Sequence, residues 1–222
     1  MLALISLKHI MSTLICGDCL DILPNITTSS IDMVLCDLPY EVTARQDWDI
    51  IIPFDKLWEQ YNRVCKENAA IVLFATEPFR TKLISSNMSM FKYDLIWMKN
   101  KTTGFLNAKK QPLRKHESIL VFYKKQPVYN PQKTTGHKPV NSFTHNKDGA
   151  GTLVYGQTKT GIKGGGQTDR YPTSILEFPV VNNDSDEKFH SAQKPVTLCE
   201  YLIKTFTNEG DMVLDNCAGS GT

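Results

Sequence analysis

The sequence lacks the features that would mark a membrane protein or a secreted one. No apolar run in its 222 residues is long enough to span a membrane, so we expect no membrane partner. Residues 1–10 have neither a basic start nor a small-residue cleavage site and make a poor signal peptide. Met11 is an alternative start, because a strand-like pattern begins just after it. The net charge of +2 is small, so any basic contact with nucleic acid must be local.

Recognisable metal and nucleotide motifs are also absent. Cys16 and Cys19 form a C-x-x-C pair, but no second pair and no histidines at matching spacing accompany it, so we expect no metal. Reduced cysteines in a cytoplasmic protein are the better interpretation. Neither G-x-G-x-x-G nor G-x-x-x-x-G-K-[ST] occurs, which argues against a nicotinamide site and excludes a P-loop.

What the sequence does contain is an alternation of strand-like and helix-like segments. The segment "AAIVLFAT" is a continuous apolar run, as expected for a strand covered on both sheet faces. Residues Leu57, Trp58, Tyr61 and Val64 have the spacing of an amphipathic helix. The pattern predicts an α/β fold, with a doubly wound and mostly parallel sheet between two helical layers.

A polar, glycine-rich stretch from about residue 126 to 186 interrupts this alternation. It is compatible with a disordered linker. It is equally compatible with a loop-rich module that contacts a polyanion, because its basic residues are interleaved with aromatic ones. The candidate DNA-binding residues there are Lys159, Lys163, Arg170 and Tyr171.

Two predicted strands end in a carboxylate. "SIDMVLCD" ends at Asp37 and continues into Leu38, Pro39 and Tyr40, whereas "MVLDNC" carries Asp215 and runs into "AGSGT". Ligands of open sheets bind at the carboxyl ends of parallel strands, so the two acids are expected side by side at such an edge. Glycines in "AGSGT" would let the backbone approach a ligand. Taken alone, however, this segment is at least as compatible with an ordinary turn.

Four motifs, in order, resemble those of the β-class DNA amino-methyltransferases, whose motif order is circularly permuted. "DLPY" resembles their D-P-P-Y motif and "DNCAGSGT" their D-P-F-A-G-S-G-T loop. "HSAQKP" resembles H-x-x-Q-K-P, and "GDCLDILP" resembles G-D-x-L-x-x-L. The resemblance implies a Rossmann-like S-adenosylmethionine-dependent methyltransferase fold. It divides the chain into a catalytic part (11–125), a target-recognition insertion (126–186) and a cofactor-binding part (187–222).

The resemblance also implies the roles of individual residues. The catalytic motif is Asp37, Leu38, Pro39 and Tyr40: the Asp37 carboxylate and the Leu38 carbonyl would accept the two hydrogens of a base amine, Pro39 would stiffen the turn, and Tyr40 would stack on a base flipped out of the duplex. The implied S-adenosylmethionine-binding residues are Asp18, Asp37, His190, Gln193, Lys194, Asp215, Ala218, Gly219 and Gly221. Within that set, Asp18 would hold the adenine end, and Lys194 would bracket the methionine carboxylate.

This sequence departs from the family pattern at three places. Leu38 replaces the first proline of D-P-P-Y, and Cys217 stands in place of a phenylalanine. The family continues after "AGSGT" with a helix and a strand that holds the cofactor ribose, whereas this chain ends at Thr222. We therefore expect one strand to be missing between "STLICGD" and "MVLDNC", which would leave exposed edges in mid-sheet.

The expected activity is adenine-N6 methylation of double-stranded DNA, because family members with S-P-P-Y favour cytosine. N4-cytosine methylation is the alternative within the enzyme class, and a non-catalytic DNA-binding remnant is the alternative outside it. A homodimer, a completing polypeptide and a cognate restriction enzyme are the partners that the sequence leaves open.

Overall fold

The computed structural model describes residues 2–6, 11–41, 49–145, 161–181, 193–219 and 221. The helices are α1 (Cys19–Ile22), α2 (Phe54–Val64), α3 (Phe79–Ser86) and α4 (Val196–Phe206). The strands are β1 (Leu2–Ser6), β2 (Met11–Ile15), β3 (Ile31–Cys36), β4 (Cys65–Ala75), β5 (Phe91–Thr103), β6 (Arg114–Phe122), β7 (Phe143–His145), β8 (Ile162–Gly164), β9 (Ile175–Glu177) and β10 (Met212–Asp215). Among these described residues, no helix is both long and apolar enough to cross a membrane.

The chain divides into two compact units, residues 1–130 with 173–222, and residues 131–172. The first unit holds an eight-stranded sheet in the order β2-β1-β10-β3-β4-β6-β5-β9. β10, β3 and β4 are parallel, as are β5 and β9, whereas β6 runs antiparallel to both of its neighbours. The sheet is therefore mixed: β5 and β6 are joined by a hairpin, which reverses the chain without a crossover helix.

Strand β4 explains why the sheet has two cores. Its side chains alternate, so Ile71 and Leu73 point into one cluster of buried residues while Val72 and Phe74 point into another. Both faces are covered over residues 69–75, which is why this part of the strand is continuously apolar rather than alternating.

The helices lie on both faces, as predicted. On one face α2 buries the stripe of Leu57, Trp58, Tyr61 and Val64, whose spacing puts them on one side of a helix. On the other face α4 buries Leu198, Leu202 and Phe206, which are four residues apart. The sheet is thus packed between two apolar layers, and the ends of its strands are available for functional residues.

The carboxyl ends of β3 and β10 lie together at one edge of the sheet. The two strands are parallel neighbours, with Leu214 opposite Val34. Asp37 follows the last residue of β3, and Asp215 is the last residue of β10. The prediction that these two acids lie side by side is confirmed by this register.

The expected gap in the middle of the sheet is not found. β1 lies between β2 and β10 and pairs antiparallel with both, from Leu2 to Ser6 on one side and from Ala3 to Ser6 on the other. The prediction of exposed edges there was wrong, because residues 2–6 supply hydrogen-bonding partners for both neighbouring strands. These residues lie outside the predicted catalytic part, which begins at residue 11.

The second unit is a small β-structure. β7 and β8 pair antiparallel, and Thr134 bridges Arg170. The Arg170 guanidinium donates to the backbone carbonyls of Gln167, Asp169 and Lys138. Since one side chain holds three loop carbonyls, Arg170 braces this unit from within.

Candidate active site

The turn after β3 is held by a buried carboxylate from the following loop. Oδ1 of Asp49 accepts hydrogen bonds from the backbone N–H groups of Tyr40 and Glu41, at 2.8 and 2.9 Å. Glu41 has a φ of +58°, a conformation that non-glycine residues adopt only with support. Asp49 supplies that support and so holds the end of the "DLPY" segment, at Tyr40 and Glu41.

Both oxygens of Asp37 have partners inside the site. The Tyr40 hydroxyl donates to Oδ1 at 2.5 Å, and the Lys194 ammonium donates to Oδ2. The Tyr40 ring stacks on Phe79, with centroids 4.8 Å apart and planes at 25°. The carboxylate is therefore held in one orientation by two residues, one of which comes from a segment 157 positions away.

The Asp37–Lys194 pair belongs to a longer chain of buried charges. Lys194 also lies 3.7 Å from Oε2 of Glu117, and Oε1 of Glu117 accepts from the Lys99 ammonium. Oε2 of Glu117 accepts no hydrogen bond from any described residue, so its compensation is electrostatic. The four side chains alternate in sign, and each is at least three-quarters buried. Such alternation offsets the cost of removing the charges from water.

Electrostatics in this cluster follow from burial and from the neighbouring charges. Burial disfavours the charged form of Glu117, but Lys194 and Lys99 outweigh it and lower the pKa of that carboxyl. In the same way, Asp37 and Glu117 outweigh burial and raise the pKa of the Lys194 ammonium. Burial and the nearby Asp37 charge raise the pKa of Tyr40, so its hydroxyl stays protonated and donates a hydrogen bond to Asp37.

The second acid of the site has a different environment. Burial raises the pKa of Asp215 to about 6, and the charge of Asp37 adds to the effect. The Cys217 N–H donates to Oδ1 of Asp215 at 2.9 Å and opposes the shift. Asp215 therefore titrates closer to neutral pH than an exposed aspartate does.

The glycine turn after β10 is open on its outer side. Gly219 and Gly221 have φ values of +53° and +73°, which glycine adopts without strain. Among the described residues, a Cβ added at Gly221 would meet no atom within 4 Å, and one at Gly219 would meet only the Cys217 carbonyl, at 3.8 Å. Open space beside a bare backbone fits the close approach of a ligand such as S-adenosylmethionine.

A buried hydrogen bond fixes the start of this turn. The Tyr61 hydroxyl of α2 donates to the Asn216 side-chain oxygen at 2.6 Å, and both residues are fully buried. Ala218 is buried as well. The turn is thus anchored to a helix on one face of the sheet at the residue next to Asp215.

Asp18, Gln193 and His190 are the remaining predicted cofactor-binding residues. The Asp18 side chain accepts from the Leu20 N–H at 2.8 Å and caps α1, and it is exposed. Gln193 is partly buried, next to Lys194. His190 lies outside the described residues, so its assignment stays a prediction.

The predicted DNA-binding residues lie in the second unit. Lys163 is exposed on β8, and Tyr171 is exposed with the Lys133 ammonium 4.3 Å from its ring centre. Arg170 is partly buried against the carbonyls that it braces. Lys159 lies outside the described residues. The predicted role of these residues in binding DNA is not tested by their positions.

Sequence reasoning missed three residues of the site: Asp49, Glu117 and Lys99. Asp49 and Lys99 are buried and the Glu117 side chain is 14% exposed, which is uncommon for charged residues of a globular protein unless they are paired. For Lys99 and Glu117 the available signal was a charge inside an apolar strand pattern, in "LIWMKN" and "HESILVF"; the loop that contains Asp49 has no such signal. Within the part of the chain that the structure describes, no cluster of His, Cys, Asp and Glu could hold a metal ion.

Comparison with known sequences identifies one family. A family model described as DNA methylase, of the N6/N4 type, matches residues 31–222. The chain is 27% identical to type II methyltransferase M.HpaI of Haemophilus parainfluenzae, over 94% of this chain and 64% of that protein. It is 28% identical to DNA adenine methyltransferase YhdJ of Escherichia coli K12, over 95% of this chain and 72% of that protein. The chain thus spans about two thirds of the length of these relatives.

Solved structures show the same fold. The cytosine-N4-specific PvuII DNA methyltransferase superposes with a TM-score of 0.58, at 13% identity, over 88% of this chain and 70% of that one. The M1.HpyAVI complex with SAM superposes with a TM-score of 0.50, at 18% identity, over 89% and 78%. The predicted α/β methyltransferase fold is confirmed by these superpositions.

Proposed function

Because the chain belongs to the N6/N4 DNA methylase family, we propose that it transfers a methyl group from S-adenosylmethionine to an exocyclic amine of a base in double-stranded DNA. The amine is adenine N6 in this proposal. The observation that carries it is the "DLPY" turn, which holds Asp37 between Tyr40 and Lys194 at the sheet edge where Asp215 ends the neighbouring strand.

The chemistry of an exocyclic amine explains why such a site is useful. The amine is a poor nucleophile, because its lone pair is delocalised into the ring. A carboxylate that accepts one amine hydrogen, together with the Leu38 carbonyl that accepts the other, favours the localised lone pair. Each oxygen of Asp37 keeps a second lone pair beyond its partner in the site, so it can accept this further hydrogen bond. Its fixed orientation supplies the preorganisation that such transfer requires.

S-adenosylmethionine would supply an electrophilic methyl group on a sulfonium. The open turn at Gly219 and Gly221 fits its methionine part, and Asp215 lies at the start of that turn. Asp18, Gln193 and His190 are carried over by resemblance. Lys194 is engaged with Asp37 and Glu117, so we infer that it holds the catalytic carboxylate at least as much as it contacts the cofactor.

The choice of adenine is supported by two observations. The motif begins with an acid, Asp37, and one relative, which matches 95% of this chain, is named a DNA adenine methyltransferase. N4-cytosine remains the second candidate, since the PvuII enzyme shares the fold. Base flipping belongs to the proposal because Asp37 could not reach an amine inside a stacked duplex. A second copy, a completing polypeptide and a restriction enzyme remain predicted partners.

The test is transfer of labelled methyl groups to duplex DNA, followed by nucleoside analysis. The wild-type chain is expected to yield N6-methyladenine, and N4-methylcytosine would select the second candidate. Asp37→Ala is expected to abolish transfer while retaining cofactor binding, measured with labelled S-adenosylmethionine. Transfer by Asp37→Ala at the wild-type rate would refute the catalytic role of "DLPY". DNA binding without transfer by the wild-type chain would favour a non-catalytic remnant.

A further inference from the structure

The β5–β6 hairpin projects beyond the edge of the sheet that carries the site. β5 runs parallel to β4, so its carboxyl end points the same way as the ends of β3 and β10. Glu117, part of the charge cluster, pairs with Trp97 across this hairpin. The pair of Thr103 and Arg114 lies three residues further along β6, so at about 3.3 Å per residue the paired strands extend on the order of 10 Å past that level.

The tip of the hairpin presents apolar side chains to solvent. Phe105 is 81% exposed and Leu106 is 95% exposed, so neither folds back onto the sheet. The tip is nevertheless built: Gly104 turns the chain at a φ of +88°, and its carbonyl accepts from the Asn107 N–H at 2.9 Å. A further bond from the Lys110 N–H to the Asn107 carbonyl, at 2.8 Å, closes the next turn. This order in the backbone shows that the exposure is part of the fold.

The flanks of the tip are basic. Every residue from 100 to 116 is exposed, and the segment contains no Asp or Glu. Its cations are Lys101, Lys109, Lys110, Arg114 and Lys115. The net charge of the whole chain is only +2, so five cations without an acid among them are a local concentration of positive charge. Such a surface suits a polyanion and disfavours a second copy of the same surface.

We propose that this hairpin docks on duplex DNA, with its basic flanks on the phosphates and Phe105 and Leu106 wedged into the base stack beside the extruded target base. The inference rests on the proposed function and adds a contact outside the second unit. A wedge lowers the cost of extruding the base, because apolar side chains replace part of the stacking that is lost. The hairpin is suited to this because it rises from the strands that carry Lys99 and Glu117.

Binding tests the flanks independently of catalysis. Affinity for a labelled duplex is measured at several salt concentrations for wild type and for the double variant Lys109→Ala with Lys110→Ala. The slope of log K against log salt is expected to be smaller by about 1.8 in the variant, for two lost phosphate contacts. The matched control is Lys92→Ala with Lys124→Ala, two exposed lysines near the amino end of β5 and the carboxyl end of β6. An unchanged slope in the hairpin variant, or an equal change in the control, overturns the proposal.

Catalysis tests the tip. The target site is first located by sequencing the bases that the enzyme methylates, and transfer is then compared on a matched duplex and on one with a mismatch at the target base. Phe105→Ser with Leu106→Ser is expected to lose about tenfold or more on the matched duplex and less than about threefold on the mismatched one. Met88→Ser, at a residue 61% exposed before the start of β5, is expected to change neither.

The outcomes separate the two proposals. A wild-type chain that binds DNA but transfers no methyl group refutes the proposed function, and the salt slopes still decide whether the hairpin docks. Equal losses on the two duplexes, or no loss, overturn the wedge. A wild-type dimer that dissociates in the Phe105→Ser with Leu106→Ser variant, measured by sedimentation, would assign the tip to self-association and overturn docking on DNA. A wild-type chain that neither binds nor methylates DNA overturns both.

Discussion

Individual charged residues determine how this site tolerates burial and how Asp37 is oriented. Asp37, Lys194, Glu117 and Lys99 are buried where an isolated charge would be strongly unfavourable. Each is tolerated because its neighbour has the opposite sign. The same arrangement orients Asp37, the proposed catalytic carboxylate, so stability and the proposed function depend on the same residues.

Glu117 has the central position, because it faces both lysines. Glu117→Gln removes the negative charge between them and is expected to lower Tm by about 5–10 °C, since breaking a buried pair leaves uncompensated charge. The control is Glu67→Gln, whose partner Lys125 is exposed, as Glu67 is. That exposed pair is screened by water, and its loss is expected to leave Tm unchanged. Equal melting temperatures for wild type and Glu117→Gln would contradict the role given to the cluster.

The raised pKa of Asp215 predicts that the stability of the protein falls with rising pH. Its pKa is raised from 3.8 to about 6, so the native state binds more protons than the unfolded state between those values. The contribution of Asp215 to stability is therefore full below about pH 4 and is lost as pH rises towards 6. Asp215→Asn removes this pH-dependent contribution to the free energy of unfolding, which amounts to about 2–3 kcal/mol. Denaturant unfolding at pH 4, 5 and 6 is expected to show that the variant gains stability over wild type with rising pH; a constant difference would exclude the shift.

At the scale of elements, the strand ends could be predicted and their side-chain partners could not. The apolar run of β4 and the acids after β3 and β10 are local patterns, and each position follows from alternation and from the rule for parallel strands. Lys194 meets Asp37 across 157 positions, and Glu117 meets Lys99 only through the register of a hairpin. Those contacts depend on the tertiary pairing of strands, which no local pattern encodes.

The motif resemblance predicted more of the site than the hydrophobic periodicity did. It placed Asp37, Lys194 and Asp215 in one site, and the structure brings the first two into contact. It did not supply Asp49, since the loop that contains this residue has no pattern of its own. It also implied a stacking role for Tyr40 alone, whereas its hydroxyl also orients Asp37.

The second unit offers a test at the same scale, through a cation that braces none of the described loops. Lys163 is exposed on β8, whereas Arg170 holds three backbone carbonyls. Lys163→Ala is expected to reduce the salt slope of DNA binding by about 0.9, as for one phosphate contact, with Tm unchanged. Arg170→Ala is expected to make the second unit more sensitive to limited proteolysis. A wild-type salt slope in Lys163→Ala would remove that lysine from the predicted DNA contact.

At the scale of the whole molecule, β1 closes the sheet around the strand that carries Asp215. Ala3 lies opposite Asp215, and Ser6 lies opposite Met212. On its other side β1 pairs along its full length with β2. Without β1, the backbone groups of β10 and β2 on those sides would lose their partners, and unpaired strand edges favour aggregation.

A proline in β1 tests this arrangement, because a strand paired on both sides has no place for a residue without an N–H group. Leu4 is opposite Leu214 of β10 and Thr13 of β2, in the middle of the strand. Leu4→Pro is expected to destabilise the protein by about 1–3 kcal/mol, because it removes a ladder hydrogen bond, and to increase aggregation; denaturant unfolding and light scattering measure the two effects. Leu4→Val is the control, since valine favours strands and keeps the N–H. S-adenosylmethionine binding is expected to weaken with Leu4→Pro as well, because Asp215 would lose the strand beside it. If the two variants unfold at the same denaturant concentration, β1 does not hold the centre of the sheet.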